Sequence, residues 1–110
     1  MLLTLGQKKI PVKEESILEA LYQLFSECRE AYDAHHYPVS DIELYVEEAV
    51  KLLENWLLLK PQDAKLTRRT WALLKLAQQQ GKALPQEEAK EHLAREASVS
   101  LELFLQLKSG

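Results

Sequence analysis

Apolar and polar positions follow a helical period most regularly over residues 40–60, SDIELYVEEAVKLLENWLLLK. At about 100° per residue, the apolar side chains fall on one arc about half the helix circumference wide. They are Ile42, Tyr45, Val46, Ala49, Val50, Leu52, Leu53, Trp56, Leu57 and Leu59. A surface helix with one neighbour needs a stripe of only about 100°. The arc therefore predicts a helix at the centre of a bundle, in contact with at least two neighbours.

The ends of this central helix are marked by polar and proline residues. Ser40 and Glu43 have the spacing of a capping box, in which each side chain accepts a hydrogen bond from the other residue's backbone N–H. Pro38 precedes the segment and Pro61 follows it, and neither residue continues a helix. We therefore expect the helix to begin at Ser40 and end near residue 60.

Two further helices flank the central one in sequence. Residues 13–34 carry one apolar face, made of Ile17, Leu21, Leu24, Phe25, Cys28, Ala31 and Tyr32. Residues 63–80 carry another, made of Leu66, Thr70, Leu73, Leu74 and Ala77. Trp71 lies off this second face, so it either covers a second neighbour or is exposed. Gly81 follows as the expected left-handed residue that ends the third helix.

A fourth helix is predicted to start at Pro85, a favoured first position. Its apolar face holds Ala89, Leu93, Ala97, Phe104 and Leu107. Residues 98–100, Ser-Val-Ser, have poor helix propensity and could break or kink it. Short connections make consecutive helices antiparallel neighbours. The predicted fold is an all-α, mostly antiparallel four-helix bundle over residues 13–110.

Residues 1–12 differ from the rest and predict a short extended N-terminal arm. Leu2, Leu3 and Leu5 form an apolar run that Gly6 interrupts, and Pro11 disfavours helix at the residue before it. One interpretation is a short strand or an arm that packs on the bundle, and another is an arm that reaches onto a second subunit. A single short strand would have no partner within the chain. We therefore expect any strand here to obtain its pairing from another molecule.

Composition and charge narrow the class of protein. The chain has 110 residues, which fits one domain, with 46% hydrophobic and 28% charged residues. Its net charge is −3, and no long basic block is present to hold a phosphate backbone, which disfavours nucleic-acid binding. The N-terminal run is too short for a signal peptide, and no apolar stretch approaches the roughly 20 residues of a membrane span. We expect a cytoplasmic protein with no membrane contact.

The residues that usually bind metals or cofactors are few. Cys28 is the only cysteine, which excludes an intramolecular disulfide, and its place on the apolar face predicts core packing. His35 and His36 are adjacent, so they do not share a helix face, and His92 is distant along the chain. Zinc needs three or four ligands. We expect neither a metal site nor a cofactor.

One pattern at the end of the first helix carries possible chemistry. Residues 29–37, REAYDAHHY, place an arginine a few residues before a histidine followed by a tyrosine. This resembles the RNase motif of the HEPN family, whose members are all-helical. The resemblance implies that Arg29 stabilises the scissile phosphate across a dimer interface and that His35 or His36 is the acid–base, with Tyr37 accessory. The chain departs from the family pattern in having Glu30 after the arginine.

A second possible contact with RNA is the densest basic cluster in the chain. Lys65, Arg68 and Arg69 lie close to Trp71 in sequence, and together they could touch RNA or an acidic protein. A solvated helix face with internal ion pairs accounts for the same residues. RNA binding or HEPN-like cleavage is therefore the alternative functional interpretation.

Several hydrophobic residues have no place in the predicted core. Such residues, gathered on a small bundle, indicate a homodimer or a partner surface. They are Leu2, Leu3, Leu5, Leu44, Leu58, Trp71, Leu101 and Leu105, with the last two on the outer side of the fourth helix. The sequence therefore predicts a non-enzymatic protein–protein interaction module: an adaptor, an assembly factor or a regulatory subunit.

Overall fold

The computed structural model of the chain describes residues 2–5, 8–35 and 42–109. In chain order its elements are β1 (Leu2–Leu5), β2 (Lys8–Pro11), α1 (Glu14–Ala34), α2 (Ile42–Leu59), a 3₁₀ turn (Pro61–Asp63), α3 (Ala64–Gly81) and α4 (Gln86–Ser109). This architecture confirms the predicted all-α bundle with a short N-terminal arm. Ser40, one half of the predicted capping box, lies outside the described residues.

The four helices form a ring of antiparallel neighbours. Helix α1 packs against α2 and α4, and α3 packs against the same two helices. Ion pairs join the start of one helix to the end of its neighbour. Glu14 Oε2, at the start of α1, lies 2.8 Å from Lys60 Nζ, just after α2. Asp63 Oδ1, just before α3, lies 2.6 Å from Lys108 Nζ, near the end of α4. Helix α2 also contacts α4 across the ring, so the prediction that α2 touches at least two neighbours is confirmed.

Helix α4 likewise contacts the other three helices. It is continuous through the segment that could break or kink. Residues 98–100 are helical, and both serines are buried. The Ser98 hydroxyl donates a hydrogen bond of 2.9 Å to the Arg95 carbonyl oxygen, which satisfies the group inside the helix. Burial of one helix face therefore outweighs the weak local propensity.

Continuity of α4 corrects two predicted positions. Leu101 is completely buried, so its expected place on the outer side is wrong. It follows Ala97 by four residues, about 40° around an unbroken helix, and so shares the core face with Phe104. Leu107 is 57% exposed, so its expected place on the core face is also wrong. It lies about 60° beyond Phe104, near the helix end.

The expected left-handed end of α3 at Gly81 is wrong too. Gly81 is the last residue of the helix and is buried, and Lys82 after it has φ −64°. The helix ends in tight turns instead, with the Ala83 and Leu84 N–H groups donating to carbonyl oxygens three residues earlier, each at 3.1 Å. A Cβ on Gly81 would lie 3.6 Å from Leu93 Cγ, so this residue marks a close approach of α3 and α4.

The N-terminal arm is a hairpin rather than a single strand. Strands β1 and β2 pair antiparallel, with Leu3 opposite Ile10 and Leu5 opposite Lys8. The expectation that the strand needs another molecule for its pairing is therefore wrong, because β2 supplies one partner. Leu5, expected on a partner surface, is 5% exposed and belongs to the core.

A partly buried junction ties three helices together at one end of the bundle. Trp56 is 1% exposed, its ring meets Phe104 edge-on at 6.1 Å, and its Nε1–H donates to Asp63 Oδ2 at 3.1 Å. The other Asp63 oxygen binds Lys108, and the Asp63 carbonyl oxygen accepts from the Thr67 hydroxyl at 2.9 Å. The hydrogen bond from Lys108 is the main reason that the pKa of Asp63 is lowered.

None of the helices in the described part of the chain combines the length and the apolar character needed to cross a membrane.

Asp63→Asn tests the junction through pH. We expect it to lower the free energy of unfolding by about 1–3 kcal/mol at neutral pH, because Lys108 loses its charged partner. A lowered folded-state pKa contributes stability that is present above the unfolded-state pKa of about 4 and is lost as pH falls through the folded-state pKa. The difference between wild type and variant, measured by urea denaturation, should therefore shrink below about pH 4.

Asp33→Asn is the matched control for this experiment. The Asp33 side chain is 63% exposed, and its Oδ2 lies 3.4 Å from Arg29 Nε in a surface ion pair. Its loss should change the free energy of unfolding by less than about 1 kcal/mol. A stability difference for Asp63→Asn that stays the same at pH 3 and pH 6 would contradict the assigned role of the junction.

Candidate interaction surfaces

An apolar groove runs between α1 and α4 near the C-terminal end of α4. It has a volume of about 420 Å³. Its apolar lining is supplied by Leu18, Tyr22, Phe25 and Leu105. Tyr22 is 60% exposed, and its ring meets Phe25 edge-on with centroids 6.0 Å apart. The groove thus offers two neighbouring aromatic rings to an incoming apolar side chain.

Two of the four polar residues that line this groove are acidic. Glu19 and Glu102 contribute carboxylates, and Gln106 and Lys108 complete the lining. The Lys108 ammonium is already bound by Asp63 at 2.6 Å. Glu102 Oε2 lies 3.8 Å from Arg29 Nη1, a longer and partly exposed contact. The carboxylates therefore leave the rim suited to a basic partner.

A second apolar groove lies between α2 and α3 beside Trp71. It has a volume of about 440 Å³, and Leu57, Thr67 and Ala72 also line it. Trp71 is half-buried, and its Nε1–H donates to Glu54 Oε2 on α2 at 3.1 Å. Of the two positions predicted for Trp71, covering a second neighbour is therefore the observed one. The Lys75 ammonium lies 5.9 Å from the centre of its ring.

The basic cluster of α3 is divided between two surfaces. Arg68 lines the groove beside Trp71, whereas Lys65 and Arg69 line a different depression that includes Leu66. Consecutive helical residues point about 100° apart, which explains the separation. Lys65, Arg68 and Arg69 are close in sequence but do not converge on one groove.

The arginine and histidine that resemble a catalytic pair have other partners in the described part of the chain. Arg29 forms ion pairs with Asp33 and Glu102 at 3.4 and 3.8 Å. His35 ends α1 in the left-handed region at φ 51°, with its ring 6.2 Å from that of Tyr32. His36 and Tyr37 lie outside the described residues, so joint action of this pair stays a prediction.

Cys28 is a core residue, as its sequence position predicts. Its side chain is 1% exposed. Burial, and secondarily the Glu27 carboxylate, raises the pKa of the thiol to about 12. A reactive cysteine needs an accessible thiolate, which this environment opposes.

The other predicted partner-binding residues spread over separate surfaces. Leu58 is 81% exposed and Leu44 is 41% exposed, as expected for the polar side of α2. Leu2 is exposed on the hairpin, and Leu3 is half-buried against the core. Leu105 is half-buried and lines the α1–α4 groove. Only Leu105 and Trp71 of the predicted set line the two helix grooves.

The sequence prediction missed most of the α1–α4 groove. Leu18, Tyr22 and Phe25 follow one another at spacings of four and three residues, which place them on one edge of α1. The apolar pattern places Phe25 on the core face and Tyr22 on neither face. A second apolar stripe beside the core stripe was the signal that could have identified this surface.

Among the described residues, no group of three or more histidine, cysteine, aspartate or glutamate side chains is placed to hold a metal ion.

No protein-family model matches the chain, and neither a curated protein nor a solved structure was found to match it.

Thiol labelling directly tests whether Cys28 is buried in the core. In native buffer at pH 8, the folded protein should react with a disulfide reagent at least ~100-fold more slowly than the urea-unfolded chain, because the thiol is buried and protonated. The rate is followed by absorbance of the released aromatic thiol. Rapid labelling of the folded protein would show that Cys28 is accessible and would contradict its core assignment.

Proposed function

We propose that this chain is a non-enzymatic protein–protein interaction module that binds a partner through the α1–α4 groove. The observation that carries the proposal is the pair of neighbouring aromatic rings in an apolar lining, the exposed Tyr22 and the half-buried Phe25. Aromatic residues in apolar pockets are frequent anchors of protein interfaces. An adaptor, an assembly factor or a regulatory subunit would use such a surface.

The shape and position of the groove support a helical occupant. It lies between two long antiparallel helices, and an amphipathic helix buries its apolar face in a groove of this kind. Leu18 and Leu105 supply the aliphatic walls, one from each helix. Such an occupant would complete a five-helix arrangement at this end of the bundle.

The charge of the rim specifies the chemistry of the partner. Glu19 and Glu102 line the groove, and Glu102 has only a long ion pair, of 3.8 Å, with Arg29. Lys108 also lines the groove, and Asp63 binds its ammonium at 2.6 Å. Complementary charge steers association and excludes partners of the same sign. We therefore propose an amphipathic helix whose apolar face is flanked by lysine or arginine.

The groove is tested by Tyr22→Glu, with Leu58→Glu as the control. Both residues are mostly exposed, at 60% and 81%, so neither change should unfold the bundle. Tyr22→Glu should reduce capture of the stoichiometric protein partner from native lysate by at least ~10-fold, because it places a charge among apolar contacts. Leu58→Glu should capture the same partner as wild type.

The same capture, repeated with nuclease treatment, separates the protein-binding proposal from the RNA alternative. Equal recovery of the partner by Tyr22→Glu and wild type would contradict binding through the groove. Recovery of RNA that disappears on nuclease treatment and depends on Arg29, in place of a protein partner, would contradict the protein-binding proposal and support the RNA-directed one.

A further inference from the structure

The hairpin presents one backbone edge that is suited to pairing and one that is not. In an antiparallel pair, opposite residues alternate between exchanging hydrogen bonds and not exchanging them. Leu2 lies opposite Pro11. Because Pro11 has no N–H, that pair cannot exchange two hydrogen bonds, and we infer that the exchanging pairs are Leu3–Ile10 and Leu5–Lys8. The N–H and C=O groups of Leu2 and Thr4 therefore point away from β2. No other backbone hydrogen bond in the described part of the chain reaches β1.

The outer edge of β2 carries the residues that block strand addition. Lys9 and Pro11 occupy its outward positions, opposite Thr4 and Leu2. Lysine and proline are the residues with which natural sheets protect an edge. Strand β1, LLTL, has neither a charge nor a proline, so its edge is left unprotected.

We propose that β1 pairs with β1 of a second copy of this chain, forming a four-stranded antiparallel sheet across a two-fold axis centred on Thr4. This self-association goes beyond the partner binding proposed for the α1–α4 groove and uses a separate surface. Thr4 and its counterpart exchange both backbone hydrogen bonds in this register. The interface is isologous, the commonest arrangement in homodimers.

The side chains of β1 favour a second copy over an unrelated strand. Leu5 is buried and Leu3 is half-buried, whereas Leu2 and Thr4 are exposed, so the strand has an inner and an outer face. A register centred on Thr4 places Leu3 opposite Leu5 of the second copy, both on the inner face. A shift of one residue would place Leu3 opposite Thr4 and mismatch the faces. The strand is therefore self-complementary in both hydrogen bonding and hydrophobic pattern.

Cysteine substitution at the proposed axis tests this pairing directly. Thr4→Cys places two thiols on opposite residues whose Cα atoms would be about 5.5 Å apart. Disulfides span about 4.4–6.8 Å between Cα atoms, so a covalent dimer should form under mild oxidation. Lys9→Cys is the matched control, since Lys9 is Thr4's exposed cross-strand neighbour at the opposite edge. Native Cys28 is buried and can remain in both variants.

We expect rapid, nearly complete cross-linking of Thr4→Cys and little cross-linking of Lys9→Cys on non-reducing gels. Absence of cross-linking in Thr4→Cys would overturn it, and so would equal cross-linking of both variants, which indicates random collision. The wild-type chain should also have the mass of a dimer by light scattering. A monomer at the highest soluble concentration would overturn the proposal.

Proline substitution tests whether the edge N–H carries the association. Thr4→Pro removes an outward N–H from β1, and Lys9→Pro removes the equivalent group from β2, so both variants keep the hydrogen bonds between the two strands. Thr4→Pro should be monomeric and Lys9→Pro dimeric by light scattering. A dimer of unchanged mass in Thr4→Pro, or equal dissociation of the two variants, would overturn the pairing at β1.

Discussion

The buried indole of Trp56 imposes the constraint on which this end of the bundle depends. A buried N–H must find an acceptor. Asp63, the residue just before α3, supplies its Oδ2 atom, 3.1 Å from Trp56 Nε1. The same carboxylate is partly buried, with its side chain 18% exposed, and Lys108 from the end of α4 compensates its charge at 2.6 Å. One side chain in the connection between helices thereby sets the relative position of α2, α3 and α4. Lys108 also lines the α1–α4 groove, so the junction helps to place the wall of the proposed binding surface.

The four helices and their order were predictable because their determinants are local. The wide apolar arc of α2, the prolines between helices and the short connections all act within a few residues. The junction at Asp63 was not predictable, since Trp56 and Lys108 meet it only after α2, α3 and α4 have packed. Leu101 was misplaced for a related reason: tertiary burial keeps α4 helical through residues with weak local propensity.

The candidate surfaces were predictable only in part. Trp71 and Leu105 were identified because they fall off or beside a core stripe, and each lines a groove. Tyr22 and Phe25 were not identified as a surface, because the boundary between core and groove along α1 depends on how far α4 lies from it. The hairpin was missed because its two strands are four residues each, too short for their pattern to show two pairing segments.

Site-specific photo-cross-linking at position 22 is the most direct test of binding through the α1–α4 groove. A benzophenone amino acid in place of Tyr22 would sit at the exposed mouth of the groove, and the same group in place of Leu58 serves as the reference. We predict that position 22 cross-links to a protein segment with helical apolar spacing flanked by lysine or arginine, and that position 58 does not. Equal cross-linking from both positions, or cross-linking from position 22 only to a second copy of this chain, would contradict the proposal.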